Sequence, residues 1–148
     1  MRQPEKILVA TDFSNASKLA LKGARVLAQG GSPHIILAHV LSVDALADGE
    51  VQAASDFQNA LEVDAHHRLD ELRETELADL ANVTTALVRD RSVPDAICRL
   101  AEDEDVDVIV ISTHGRTGLA HLLIGSVAER VVRHAPCPVF TLRSKAKD

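Results

Sequence analysis

Between Ser112 and Ser126 the chain carries three glycines, Gly115, Gly118 and Gly125, among Thr113, His114, Arg116 and Thr117, and that spacing suits the holding of an anion. Glycine lets the backbone turn with positive φ or come into contact with a ligand. The apolar run Val106 to Ile111 precedes the stretch, and Val127, Ala128, Val131 and Val132 follow at helical spacing from about Ser126. Loop N–H groups, joined by the free N–H groups and positive dipole end of a helix, make a phosphate cradle that needs no lysine. Any one glycine alone is better read as a loop or cap residue. The set, placed after a buried strand and before a helix, points to phosphate. A second polar group, Asp12, ends another apolar run, Lys6 to Ala10.

The elements that must position these residues are legible from the pattern. Lys6–Ala10 is expected to be a buried strand, with Ser14 or Asn15 capping a helix whose inward face is Ala16, Leu19, Ala20, Gly23, Ala24 and Leu27. Gly30-Gly31 stops it and Ser32-Pro33 adds a turn. Ile35–Leu41 is a second strand, and Ser42 to about Val51 is a loop. A long helix is expected from about Gln52 to Leu80, with Ala65, Leu69, Leu72 and Leu80 as its buried stripe and His66-His67 on a solvated face. Val83–Arg89 is a third, less buried strand. Ser92-Val93-Pro94-Asp95 starts a helix with Ile97, Leu100 and Ala101 inward, closed by the solvated acidic turn Glu102–Asp105. Val106–Ile111 is the fourth strand, the last helix stops at Pro136, and Val139–Leu142 is a fifth strand placed at an edge by Pro138.

Alternating strands and helices imply an α/β fold, a five-stranded parallel sheet with helices on both faces joined by right-handed crossovers. Such a sheet runs 3-2-1-4-5 or 2-1-3-4-5. The first order makes strands one and four neighbours, so that Asp12 and the glycine loop face one crevice at the carboxyl ends. There a carboxylate accepts a hydrogen bond from an exocyclic amine or ribose hydroxyl while the loop holds phosphate. The combined signal is a nucleotide site.

Composition narrows the rest. The 148 residues are expected to form a single domain, 1–148. Apolar residues make up 46% of the chain and aromatic ones 2%, so Val, Ile, Leu and Ala must build the core, as in helix-covered parallel sheets. A net charge of -6 speaks against binding nucleic acid or an anionic membrane. The late basic residues Arg130, Arg133, Arg143, Lys145 and Lys147 are expected on a solvated helix face and a polar tail. Cys98 and Cys137 give neither metal spacing nor a disulfide framework. With no signal-like h-region after Met1-Arg2-Gln3-Pro4 and no run of transmembrane length, a cytoplasmic protein without membrane insertion is expected.

Val9-Ala10-Thr11-Asp12-Phe13-Ser14, Ser112–Gly118, Leu123–Val127 and the ending Ala135-Pro136-Cys137-Pro138-Val139 together resemble the universal stress protein family over nearly the whole chain. Its nucleotide-binding branch has the pattern glycine, two residues, glycine, nine residues, glycine, then Ser or Thr. Gly115, the nine residues Arg116 to Ile124, Gly125 and Ser126 match it, and Ser112 replaces the first glycine. The resemblance implies that Asp12 and the backbone of Val40 hold adenine, with Ala10 and Thr11 lining its pocket. Ile111, Ser112 and His114 would flank ribose and phosphates. Gly115, Gly125, Ser126 and Val127 would bind phosphate, and Arg116 would add charge at the loop mouth. It further implies strand order 3-2-1-4-5, a Rossmann-like fold of the adenine nucleotide alpha hydrolase type, a cofactor that is ATP or an AMP-type adenine nucleotide with or without Mg2+, and a homodimer through the last strand, Val139, Phe140, Thr141 and Leu142. Ser92 stands where similar proteins have a glycine two residues before the helix-starting proline.

Ser112 admits two readings. If the glycine serves positive φ, serine strains the loop by roughly 1–2 kcal/mol; if the position asks only for a small residue, serine fits and offers a hydroxyl. No Walker lysine follows the glycines and no general base with an orienting partner stands out, so at most slow ATP hydrolysis is expected, with neither a catalytic nor a metal-ligand set. The competing class is a dimeric stress-response scaffold whose crevice binds no nucleotide. A phosphoacceptor receiver domain fits less well, since Asp12 lacks a neighbouring acid and no lysine ends the fifth strand in the right setting.

Overall fold

The computed structural model describes residues 2–43, 51–113 and 124–143, and over 51–54 the backbone alone. Five strands and four helices alternate: β1 (Lys6–Ala10), α1 (Lys18–Leu27), β2 (His34–Ser42), α2 (Val51–Glu76), β3 (Val83–Asp90), α3 (Val93–Asp103), β4 (Val108–Ser112), α4 (Ser126–His134) and β5 (Val139–Leu142). All strand pairs are parallel, in the order β3-β2-β1-β4-β5. Of the two orders open to the pattern, this one sets β1 beside β4, with Ile7, Leu8 and Val9 opposite Val108, Ile109 and Val110.

Period-two alternation sends successive side chains of the central strands into two cores. Ile7, Val9, Ile35, Leu37 and Val110 meet Ala20, Leu21 and Ala24 of α1 and Leu69 of α2. Leu8, Ala10, Ile36, Ala38, Ile109 and Ile111 meet Ala96, Ile97 and Ala101 of α3 and Ala128 and Val131 of α4. β3 and β5 lie at the edges and are the less buried strands. α1 packs so closely on β5 that a Cβ at Gly23 would stand 2.7 Å from a Leu142 methyl.

Several boundaries differ from the sequence pattern, each for a local reason. The fourth strand begins at Val108, not Val106, because α3 closes in a Schellman arrangement: Asp105 takes φ 51, its N–H reaches the Glu102 carbonyl and that of Val106 the Ala101 carbonyl. Asp107 is then spent on its neighbour strand, its carboxylate accepting the N–H groups of Glu5 and Lys6 at 2.8 and 2.9 Å. α2 ends at Glu76 rather than Leu80; Leu77, buried, and Leu80 cover the same core from the turn beyond it. Arg25 clamps that turn by donating to the Glu76 carbonyl and to Asp79. The acidic turn Glu102–Asp105 is exposed, as are His66 and His67. Most of the loop expected after Ser42, and Lys145 and Lys147 of the tail, lie outside the described residues. Among the described residues no helix is long and apolar enough to cross a membrane.

The register of α2 makes a direct test. Leu69 is fully buried whereas Val63 is 56% exposed. Leu69→Ala should lower unfolding free energy by about 2–5 kcal/mol, and Val63→Ala should stay within about 0.5 kcal/mol, both measured by chemical denaturation.

Candidate functional site

At the carboxyl ends of β1 and β4 the helices of the two faces part, and the gap is a crevice of about 560 Å³. Of the residues singled out by sequence, Ala10, Thr11, Asp12, Val40, Ile111, Ser112, Gly125, Ser126 and Val127 line it together. His114, Gly115 and Arg116, and Gly118 with them, lie outside the described residues. The wall also includes Thr113, from the same stretch as the glycines, and residues not marked for binding: Phe13 after β1, His39 on β2, and Asp64 and Arg68 on α2.

The turn after β1 is held by a run of hydroxyls. The Ser17 hydroxyl donates to the Ser14 carbonyl at 2.7 Å, which leaves its oxygen to accept from the Thr11 hydroxyl at 3.0 Å. Thr11 Oγ1 in turn accepts the Phe13 N–H at 3.0 Å. Both hydroxyls are buried and both are satisfied, which removes the penalty of burying them. Asp12 Oδ1 accepts the Ser14 N–H at 2.9 Å, an Asx-type turn that leaves the carboxylate on the crevice wall. The Ser14 hydroxyl accepts the Ser17 N–H and steadies the turn before α1, but neither Ser14 nor Asn15 is the cap expected from the sequence: the N-cap is Ser17, with no side-chain capping bond, because a further turn comes between them and the helix.

Phe13 carries the cost of this turn. Its φ of 67° lies in the left-handed region, disfavoured for a bulky side chain. The compensation is contact: the ring lies 4.2 Å from the His39 ring, centroid to centroid, and the Arg68 guanidinium carbon sits 5.6 Å from its centroid. His39 Nδ1 donates to the Thr11 carbonyl at 2.8 Å, which fixes the tautomer, because a carbonyl only accepts. Arg68 is steadied by Asp64 at 3.0 Å. A histidine inside an apolar strand and an arginine at helical spacing from Asp64 gave no sequence signal for this arrangement; only the pairing of β1 with β2 and the docking of α2 unite them.

Across the crevice Gly125 is the N-cap of α4, in extended conformation (φ -72°) and with no side chain to cap the first turn. The N–H groups that open α4 therefore stand beside the strand ends with the dipole's positive end. Gly125 is required for a reason the pattern did not give. Its N–H donates to the Thr113 carbonyl at 2.6 Å, and a Cβ there would lie 2.3 Å from that same oxygen. The crowding is with the chain itself, not only with an anion.

The two serines at glycine positions are unstrained. Ser112 ends β4 opposite Leu142, and the non-glycine residues of positive φ among the described ones are Phe13 and Asp105. The position takes serine in ordinary strand geometry. Ser92 is extended (φ -116°, ψ 110°) and serves as N-cap of α3, its hydroxyl accepting the Asp95 N–H. Asp90 anchors that corner: the Ser92 N–H and then Arg99 hold its carboxyl below the usual range. On the α3–α4 face, burial pushes the Cys98 and Cys137 thiols up, so neither is a thiolate at neutral pH.

Comparison with known proteins agrees with this architecture. A model of the Universal stress protein family matches residues 4–143. Universal stress protein MJ0577 of Methanocaldococcus jannaschii is 28% identical over 156 residues, which span 95% of this chain and 96% of that protein. The solved structure of MJ0577 superimposes with a TM-score of 0.83 at 29% identity, covering 99% of this chain and 100% of that one. A universal stress protein solved in complex with cAMP shares the fold, with a TM-score of 0.64 at 21% identity over 97% of this chain and all of its own.

The contact at Gly125 sets an expectation independent of any ligand. Gly125→Ala should destabilise the ligand-free protein by about 1–3 kcal/mol, the usual cost of forcing an added carbon into a filled site. Thermal unfolding without ligand checks it; an unchanged midpoint would mean that the Thr113 carbonyl has room to retreat.

Proposed function

The chain belongs to the universal stress protein family, and from that premise we propose that it is a regulatory stress protein whose crevice binds an adenine nucleotide, ATP or an AMP-type relative. The observation that carries this reading is the meeting, in one crevice, of the Asp12 carboxylate at the end of β1 and the uncapped start of α4 at Gly125, Ser126 and Val127. They offer opposite chemistries. Asp12 accepts from an exocyclic amine or a ribose hydroxyl; the α4 N–H groups donate to phosphate. Between them Ala10, Val40 and Ile111 provide apolar surface for the base. The crevice, about 560 Å³, falls within the usual size of small-molecule sites, roughly 300–1,000 Å³. The cAMP complex of a relative with the same fold supports the ligand class.

Binding and signalling, rather than fast turnover, suit these residues. Rapid phosphoryl transfer needs a group that activates the attacking oxygen and cations that neutralise the leaving phosphate. The hydroxyls of Thr11 and Ser17 are committed to holding the turn, and His39 Nδ1 to the Thr11 carbonyl. Mg2+ would travel with the phosphates of ATP, across the crevice from Asp12. Slow hydrolysis at most, in a cytoplasmic setting, follows from this reading.

The edge strand leads to a second part of the proposal, a homodimer. Among the described residues β5 pairs with β4 on one side, and its exposed Phe140 and Thr141 lie beside a ladder left open on the other. Pairing with the same strand of a second copy covers the ladder with no further protein.

Two measurements test the proposal. ATP, AMP or cAMP should raise the unfolding free energy by about 2.7 kcal/mol at a hundred times its dissociation constant, and Asp12→Ala should weaken binding by about 1.5–3 kcal/mol in calorimetry, beyond a loss of ligand-free stability of about 0.5–1.5 kcal/mol from its hydrogen bond to the Ser14 N–H. Failure of every adenine nucleotide to stabilise the parent would leave the scaffold reading. Light scattering at micromolar concentration should give twice the chain mass, and Thr141→Glu, which brings like charges together near the two-fold axis, should shift it to the monomer.

A further inference from the structure

Among the described residues one buried side-chain polar atom has no hydrogen-bond partner, the hydroxyl oxygen of Thr113. The residue is 6% exposed and lines the crevice. Its backbone is committed on both sides: the N–H donates to the Leu142 carbonyl at 2.8 Å, and the carbonyl accepts from Gly125 at 2.6 Å. Thr113 is thus pinned between β5 and the first residue of the α4 cap, with only its hydroxyl unspent. The contrast with the other two buried hydroxyls of the wall is sharp, because Thr11 and Ser17 are satisfied by each other and by the chain.

A buried hydroxyl with no partner loses its hydration and gains nothing, whereas valine, of nearly the same shape, would bury there without that loss. A threonine in such a place has another use for the group. Its χ1 torsion has staggered wells, and rotation between them redirects the hydroxyl while the pinned backbone stays still.

We propose that the Thr113 hydroxyl is a ligand-binding group of the crevice, turning to donate its hydrogen to a phosphate oxygen held at the start of α4. The proposal rests on the nucleotide reading above and deepens it, naming the side chain that recognises the phosphate as opposed to the nucleoside. No covalent step is involved. The hydroxyl adds a directional donor to the helix N–H groups, and the phosphate supplies the partner that the ligand-free protein lacks. Thr113 lies in the stretch that the glycine spacing marks for an anion, but spacing alone does not set its hydroxyl apart; burial, a fully used backbone and an unused hydroxyl do.

The experiment compares the parent with Thr113→Val and Thr113→Ser, measuring the ligand-free unfolding midpoint and, by calorimetry, the affinities for ATP and for adenosine, which has no phosphate. The expected result has three parts. Thr113→Val unfolds at the parent's midpoint or above it, because it removes an unsatisfied group. It binds ATP about tenfold or more weakly, as fits the loss of a hydrogen bond to a charged group, while its affinity for adenosine stays within about twofold of the parent's. Thr113→Ser restores ATP affinity. Equal ATP affinity in Thr113→Val and the parent would overturn the proposal, and so would equal losses for ATP and adenosine. A lowered midpoint or failure to fold in Thr113→Val would also overturn it, since the hydroxyl would then be holding the fold. A parent that binds neither ATP nor adenosine would refute the nucleotide reading itself, and this inference with it.

Discussion

The crevice exists because β1 lies beside β4. From β1 the chain winds towards one edge of the sheet through α1 and α2, and after β3 it crosses back and winds towards the other through α3 and α4. Right-handed crossovers put the first pair of helices on one face and the second pair on the other, so the carboxyl ends of β1 and β4 are left without a helix closing over them. Backbone groups and polar side chains gather where the sheet cannot cover them. The hydrophobic runs of β1 and β4, with Ile7, Leu8, Val9, Ile109 and Val110 wholly buried, keep this pair in register and fix the distance across the gap.

Once that pair is set, the two rims are stabilised in different ways. The β1 rim is saturated: Thr11, Ser14 and Ser17 satisfy one another, and the disfavoured backbone of Phe13 is offset by its contacts with His39 and Arg68. Strain at a bulky residue persists only where its surroundings over-determine it, and here they leave Asp12 in one place on the wall. The β4 rim has unspent capacity in the bare N-terminus of α4 and in the Thr113 hydroxyl, joined by the short contact between Gly125 and the Thr113 carbonyl. A rigid rim for the nucleoside facing a donor-rich rim for the phosphate is the physical content of the functional proposal.

Much of this was legible in the sequence, for identifiable reasons. Runs such as Ile35–Leu41 and the helical spacing of Ala20, Gly23 and Ala24 announced the elements, because burial on a sheet or helix face imposes periods of two and 3.6 residues. Strand order came only from the family resemblance, since parallel strands buried on both faces look alike in composition. Boundaries failed where local hydrogen bonding overrode the apolar pattern, as when the backbone of Asp105 closed α3 and the carboxylate of Asp107 held β1. The site was half legible. Asp12 and the end of the glycine stretch stand out by type and spacing, whereas His39 and Arg68 carry no local signal and reach the crevice only through pairing of distant segments. The serine at position 112 also needed the structure, because nothing in one sequence separates a glycine kept for positive φ from one kept for small size; the strand geometry there is ordinary.

The most direct test of the central claim is to follow backbone amide resonances of the protein as ATP is added. The account predicts saturable shifts at Asp12, Phe13 and Val40 on one rim and at Gly125, Ser126 and Val127 on the other, with Glu5 and Gly31, at the opposite end of the sheet, unmoved. No shifts at saturating ATP, or shifts confined to residues outside the crevice, would contradict it.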